Sequence, residues 1–355
     1  MRKRTLLLAA TLTTGLLTAL PLTPASAAPS GLSDDFNGDG YRDLATAAPY
    51  ATVGGAALAG AVVVNYGSVS GIKASRRTVI TQNTSGIPGT AEKGDEFGTE
   101  LASGDLNNDG YADLVIGAAR EDVGSDVDGG TAVIVWGGAN GLSGGRAVSD
   151  PVASSHDRYG RTLAVGDFSG DGRADLAVGG DGKDISIHRG GFTKASGPAS
   201  RHQLTTGMHT GPTGGAQSLS IDDIDGDGRD DVAVSALYED IGSAELAGSV
   251  TVFRGATTGL STSGVKSFTQ DTAGVPGTAE KTDQFGKAVR LADLNGDGHA
   301  DLSIGADGEN DADGSLWTLR GTSSGVTTTG AISFGPSSAG ISASGHPRFG
   351  FAMLR

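Results

Sequence analysis

An all-β protein built from five repeats is what this 355-residue sequence predicts, and three observations carry the expectation. A nine-residue pattern rich in Asp, Asn and Gly returns five times, its starts 70, 62, 56 and 70 residues apart. Short runs of strand character lie between the copies: Val62 to Val64, Ala132 to Trp136, Ile185 to His188, Val250 to Phe253 and Leu316 to Leu319. No window sustains the apolar period of a helix.

The first 28 residues stand outside the repeats. Arg2, Lys3 and Arg4 precede an apolar stretch from Leu6 to Leu20, and Ala25-Ser26-Ala27 fits the small-x-small cleavage rule. Residues 1–28 are therefore expected to be a signal peptide, and the repeat domain to run from 29 to 355 as a secreted, extracellular monomer. No later segment reaches the ~20 apolar residues of a membrane helix, so no membrane span is expected. The chain has no Cys, which removes disulfides, thiolate metal sites and a Cys nucleophile. With 41 acidic against 26 basic residues, it offers no patch to neutralise phosphates, so a nucleic-acid partner is excluded.

Each nonapeptide reads as a calcium loop. Position 1 is Asp35, Asp105, Asp167, Asp223 and Asp293, and position 3 is Asn37, Asn107, Ser169, Asp225 and Asn295. Position 5 is Asp39, Asp109, Asp171, Asp227 and Asp297, and position 9 is Asp43, Asp113, Asp175, Asp231 and Asp301. These oxygens converge if the chain turns sharply at position 6, which is Gly in every copy. Position 7 is Tyr41, Tyr111, Arg173, Arg229 and His299, a variety expected where only the backbone carbonyl is used. Hard oxygen donors suit Ca²⁺, so up to five structural ions are expected. Asp/Asn/Gly turns that stabilise themselves have similar composition, but shared ligand spacing in five copies is hard to obtain that way. The loops are not EF-hands, because position 12 is Thr46, Ile116, Val178, Val234 and Ile304 instead of Glu.

Phe97-Gly98 and Phe285-Gly286 stand eight residues before a loop, with Tyr159-Gly160 in the same place in the third repeat. Ala47-Ala48-Pro49, Gly117-Ala118-Ala119 and Gly305-Ala306-Asp307 follow the loops. This arrangement resembles the FG-GAP repeats of the integrin α-subunit head over nearly the whole chain after the leader. The resemblance implies a β-propeller of four-stranded blades with calcium in loops on one face. Repeats are placed at about 33–96, 97–158, 159–214, 215–284 and 285–348. The fourth departs, with Gly215-Ala216 for Phe-Gly and Ser235-Ala236-Leu237 after its loop. Integrin heads carry seven blades, so a seven-bladed or truncated propeller is the alternative to five. Phe349 to Arg355 would be the missing inner strand of the first blade, closing the ring.

Catalysis finds less support. Gly141-Leu-Ser143-Gly-Gly145 matches G-x-S-x-G, but no helix is expected after it. Sixteen of the 41 acids stand at the ligand positions of the loops; Glu121, Asp122, Glu239, Asp240, Glu309 and Asp311 lie in equivalent connections and suggest a solvated acidic rim. The expected function is a calcium-binding propeller serving as a non-catalytic adhesion or binding module for a cell-surface protein or glycan. The alternative is an extracellular hydrolase of polysaccharide or phosphodiester on the same scaffold.

Overall fold

The strand runs become the second and third strands of antiparallel meanders in a computed structural model that describes residues 31–152, 157–182, 184–206 and 218–353. The leader and Gly215-Ala216 lie outside the described residues. The first sheet has three strands, β1 (Leu44–Ala48), β2 (Ala61–Asn65) and β3 (Arg77–Ile80). The second has four, β4 (Leu101–Gly104), β5 (Asp113–Ala118), β6 (Thr131–Trp136) and β7 (Ser143–Val148). The third holds β8 (Thr162–Gly166), β9 (Asp175–Gly179), β10 (Asp184–Arg189) and β11 (Ser200–Thr205). The fourth holds β12 (Ser218–Asp222), β13 (Asp231–Ala236), β14 (Ser249–Ala256) and β15 (Gly259–Phe268). The fifth holds β16 (Ala288–Ala292), β17 (Asp301–Ala306), β18 (Ser315–Arg320) and β19 (Thr327–Phe334). Strand order in every sheet follows chain order.

Alternation at period two lets one strand serve two cores. In β6, Val133 and Val135 pack with Val62, Val64 and Ile80 of the first sheet. Ala132, Ile134 and Trp136, on the opposite face, pack with Leu176 and Val178 of the third. The same device joins the third sheet to the fourth and the fourth to the fifth. The first strands β4, β8, β12 and β16 lie side by side in that order. Sheets packed face to face, with first strands adjacent, are the propeller architecture.

Residues 349–353 do not form a fourth strand on β1. Phe349 makes a parallel bridge to Gly314, as Tyr159 does to Gly130, and its ring packs against Phe334 with centroids 5.9 Å apart. The Phe-Gly dipeptide thus docks on the preceding sheet in the third repeat's manner. Ala352 and Met353 carry no strand pairing, and Leu354 and Arg355 lie outside the described residues. Closure of the ring is therefore not seen.

Candidate metal loops

Four nonapeptides join the first strand of a sheet to its second, and the first leads into β1. Their shape is set by carboxylates accepting backbone N–H groups. The first Asp takes position 6 on one oxygen, as in Gly40 N–H to Asp35 (2.8 Å), Gly172 to Asp167 (2.7 Å) and Gly298 to Asp293 (2.9 Å). The fifth Asp takes position 7, as in Tyr111 N–H to Asp109 (3.1 Å) and His299 to Asp297 (3.0 Å). Gly at position 6 has φ between +78° and +87°, where a side chain would be strained. Position 4 is left-handed too, at Gly38, Asn108, Gly170, Gly226 and Gly296. That requirement is legible in the sequence as Gly or Asn at position 4 of every copy.

The ninth Asp has a structural role the spacing does not reveal. Asp113 is fully buried; its carboxylate accepts Leu106 N–H (3.1 Å) and Gly137 N–H (2.8 Å), tying the loop to the end of β6. Asp43 and Asp231 repeat both bonds, Asp175 accepts from Gly190 and from position 3, Ser169, in place of position 2, and Asp301 repeats the second, to Gly321. Burial pushes Asp113 up to about 7 and Asp175 and Asp231 up to about 6. Each oxygen keeps a second lone pair, so this bracing is compatible with ligation.

The donors at positions 1, 3 and 5 fit a hard divalent cation. In the fourth loop the carboxylates of Asp223, Asp225 and Asp227 lie within 4.8 Å of one another. It is the loop with Asp at position 3, where others have Asn or Ser. Basic side chains already lean on the acids: Arg254 pairs with Asp225, Arg229 with Asp227 (2.8 Å), Arg76 with Asp39 (3.0 Å) and Arg189 with Asp171 (3.1 Å). The side chains of Tyr41, Tyr111, Arg173 and His299 are not needed for the loop hydrogen bonds, in keeping with a backbone role at position 7.

The Phe-Gly and Gly-Ala motifs meet in space. Gly98 N–H donates to the Gly117 carbonyl (2.8 Å), and a Cβ on Gly117 would collide with the carbonyl of Gly160 in the next sheet. These glycines let three chain segments pass at backbone contact. Ser143 begins β7, a strand following a strand, so the G-x-S-x-G match is not a nucleophile elbow. The acidic rim is only partly solvated. Glu121 and Glu309 are half-buried and accept from Gln82 and Gln270 of the preceding sheets, both at 2.5 Å.

The FG-GAP repeat family matches residues 27–64, 97–136, 159–193, 215–253 and 285–319, more than half of the chain. Curated relatives include mouse phosphatidylinositol-glycan-specific phospholipase D, 32% identical over 147 residues, which is 41% of this chain and 17% of that protein. Xenopus laevis integrin alpha-5 is 26% identical over 226 residues (60% and 20%), and mouse integrin alpha-7 is 35% identical over 154 (40% and 12%). The chain thus spans a fifth or less of the length of these relatives. Among solved structures, the Dos1 propeller matches with a TM-score of 0.42 at 10% identity, covering 78% of this chain and 59% of that one. Five matched repeats, five antiparallel sheets and their loops place the chain in the FG-GAP repeat family, with a β-propeller fold.

Proposed function

We propose that this chain is an exported, calcium-stabilised binding module that holds a cell-surface protein or glycan without transforming it. The observation that carries the reading is one oxygen-gathering loop built five times, each braced by its ninth Asp to the end of the second strand that follows it. Such loops make a rigid propeller on which surface connections are free to vary. The ligands proposed for each ion are the side chains at positions 1, 3, 5 and 9 and the carbonyl at position 7. Integrin subunits are among the relatives, which supports an adhesive role; phospholipase D relatives keep hydrolysis as the competing outcome.

A melting curve with and without chelator tests the metal. At ten times Kd each ion contributes about 1.4 kcal/mol, roughly 7 kcal/mol for five independent sites. An unchanged midpoint overturns the reading. Occupancy should follow position 3, with Ser169 making the third loop the weakest. Arg254 competes for Asp225, so Arg254→Gln is expected to tighten the fourth site in a calcium titration. Binding to a glycan and cell-surface array, with polysaccharide and phosphodiester hydrolysis assayed in parallel, separates the module from an enzyme.

A further inference from the structure

A cavity of about 470 Å³ opens between the second and third sheets, where β7 faces β11. Its charge is opposite to that of the chain as a whole. Arg146 and Arg201 line it together with His188, and no carboxylate does. Most arginines here are committed: Arg158 and Arg161 to Asp181, Arg189 to Asp171, Arg229 to Asp227. Arg146 and Arg201 have no ion-pair partner among the described residues. Arg146 reaches across from β7, its Nη2 3.5 Å from where a Cβ on Gly197 would stand.

His188 supplies a second, independent observation. It is 1% exposed, and its Nε2 lies 2.6 Å from the Tyr159 hydroxyl, while its Nδ1 has no partner. Burial, with the positive charges of Arg201 and His202, holds the imidazole down to about 4, so the ring is neutral. In either tautomer Nδ1 is left without a hydrogen-bond partner. The corresponding positions are Val135, Phe253 and Leu319 in the other four-stranded sheets and Asn65 in the first, and the residue matching Tyr159 is Phe97 or Phe285. Both polar changes thus fall in one repeat and touch one another. A buried polar pair with an unused group is costly unless something satisfies it.

Arg201 also lines an adjoining cavity of about 450 Å³ with Gln203, Ser261 and Thr262. Oxyanion donors therefore sit beside a row of amide and hydroxyl groups.

We infer that this cavity binds an acidic saccharide, with Arg146 and Arg201 on its carboxylate, sulfate or phosphate group and His188 in its wall. The inference rests on the binding-module reading and names the ligand class for it. Arginine recognises such planar or tetrahedral oxyanions through paired N–H groups.

Titration calorimetry of the full chain at saturating calcium tests it, with glucuronate, glucosamine 6-sulfate, glucose 6-phosphate, neutral glucose and inorganic sulfate as probes. At least one acidic sugar should bind and glucose should not. Arg146→Gln/Arg201→Gln should melt like the parent and bind about tenfold more weakly or worse. His188→Val, the residue found at position 135, should also fold and bind more weakly. No acidic sugar bound, or equal binding by parent and double variant, overturns the assignment. Inorganic sulfate bound as tightly as the sulfated sugar removes the saccharide from it. Array binding that survives the double variant sinks this cavity while leaving the binding module in place.

Discussion

The interfaces between consecutive sheets differ from the seam between the fifth sheet and the first. At each internal interface, the second residue of one loop packs with the neighbouring sheet. Phe36, Leu106, Phe168 and Ile224 fill this place and are at most 1% exposed. At the seam the matching residue, Leu294, is 51% exposed. Leu44 of β1 is also 51% exposed, where Leu114, Leu176, Val232 and Leu302 are buried. The side chains follow the same division. Thr46 and Asn65 stand where Ile116 and Val135 form core, and Ser303 stands where Val115 and Ala233 do. A sheet with two apolar faces must be covered on both, whereas one polar face ends the stack at lower cost, as capping repeats do. Interior blades are interchangeable in this sense, and the terminal ones are not.

Substitutions at matching positions should break the two regions unequally. Phe168→Ala removes a fully buried ring and should cost about 3–5 kcal/mol in denaturant unfolding. Leu294→Ala at the same loop position should stay within about 0.5 kcal/mol. A loss of about 2 kcal/mol or more at Leu294 would show that the ring shuts in solution. Because the chain has no Cys, Leu44→Cys/Leu294→Cys gives the same answer directly: an open seam leaves both thiols free under oxidant.

The ninth Asp offers a smaller contrast. Asp175→Ala leaves the Gly190 and Ser169 N–H groups buried and unpaired, and should cost about 2 kcal/mol or more in chelator, where no ion contributes. Asp39→Ala, in an exposed part of its loop, should cost less under the same conditions. Equal losses would remove the distinction between brace and ligand.

The smallest expected effect is on pH dependence. Glu121 and Glu309 clasp adjacent sheets through Gln82 and Gln270, and burial pushes each up to about 7 from an ordinary value of 4.5. The folded state therefore holds a proton the unfolded chain releases. Stability from these groups is complete below about pH 4.5 and is lost as the pH rises through 7. Glu121→Gln should flatten the fall in melting temperature between pH 5 and pH 7.5; an unchanged slope assigns it to the loop carboxylates instead. At the seam the corresponding residues are Pro336 and Ala51, which form no such clasp.

Sequence alone determined what is local and repeated. The nonapeptide spacing, the left-handed glycine at position 6 and the two-residue alternation of β6 each follow from a few neighbouring residues and recur, so five copies reinforce one reading. The Phe-Gly and Gly-Ala motifs were legible as small residues, but their reason was not: Gly117 and Gly160 belong to different sheets and meet only when these pack. The tertiary structure also decided that the ninth Asp braces a strand 24 residues away, as Asp113 does to Gly137. It alone brought Arg146, His188 and Arg201 to one cavity, because residues on the outer strands of neighbouring sheets share no sequence period. It left Leu44 and Leu294 exposed for the same reason, since a residue's burial depends on which sheet, if any, faces it.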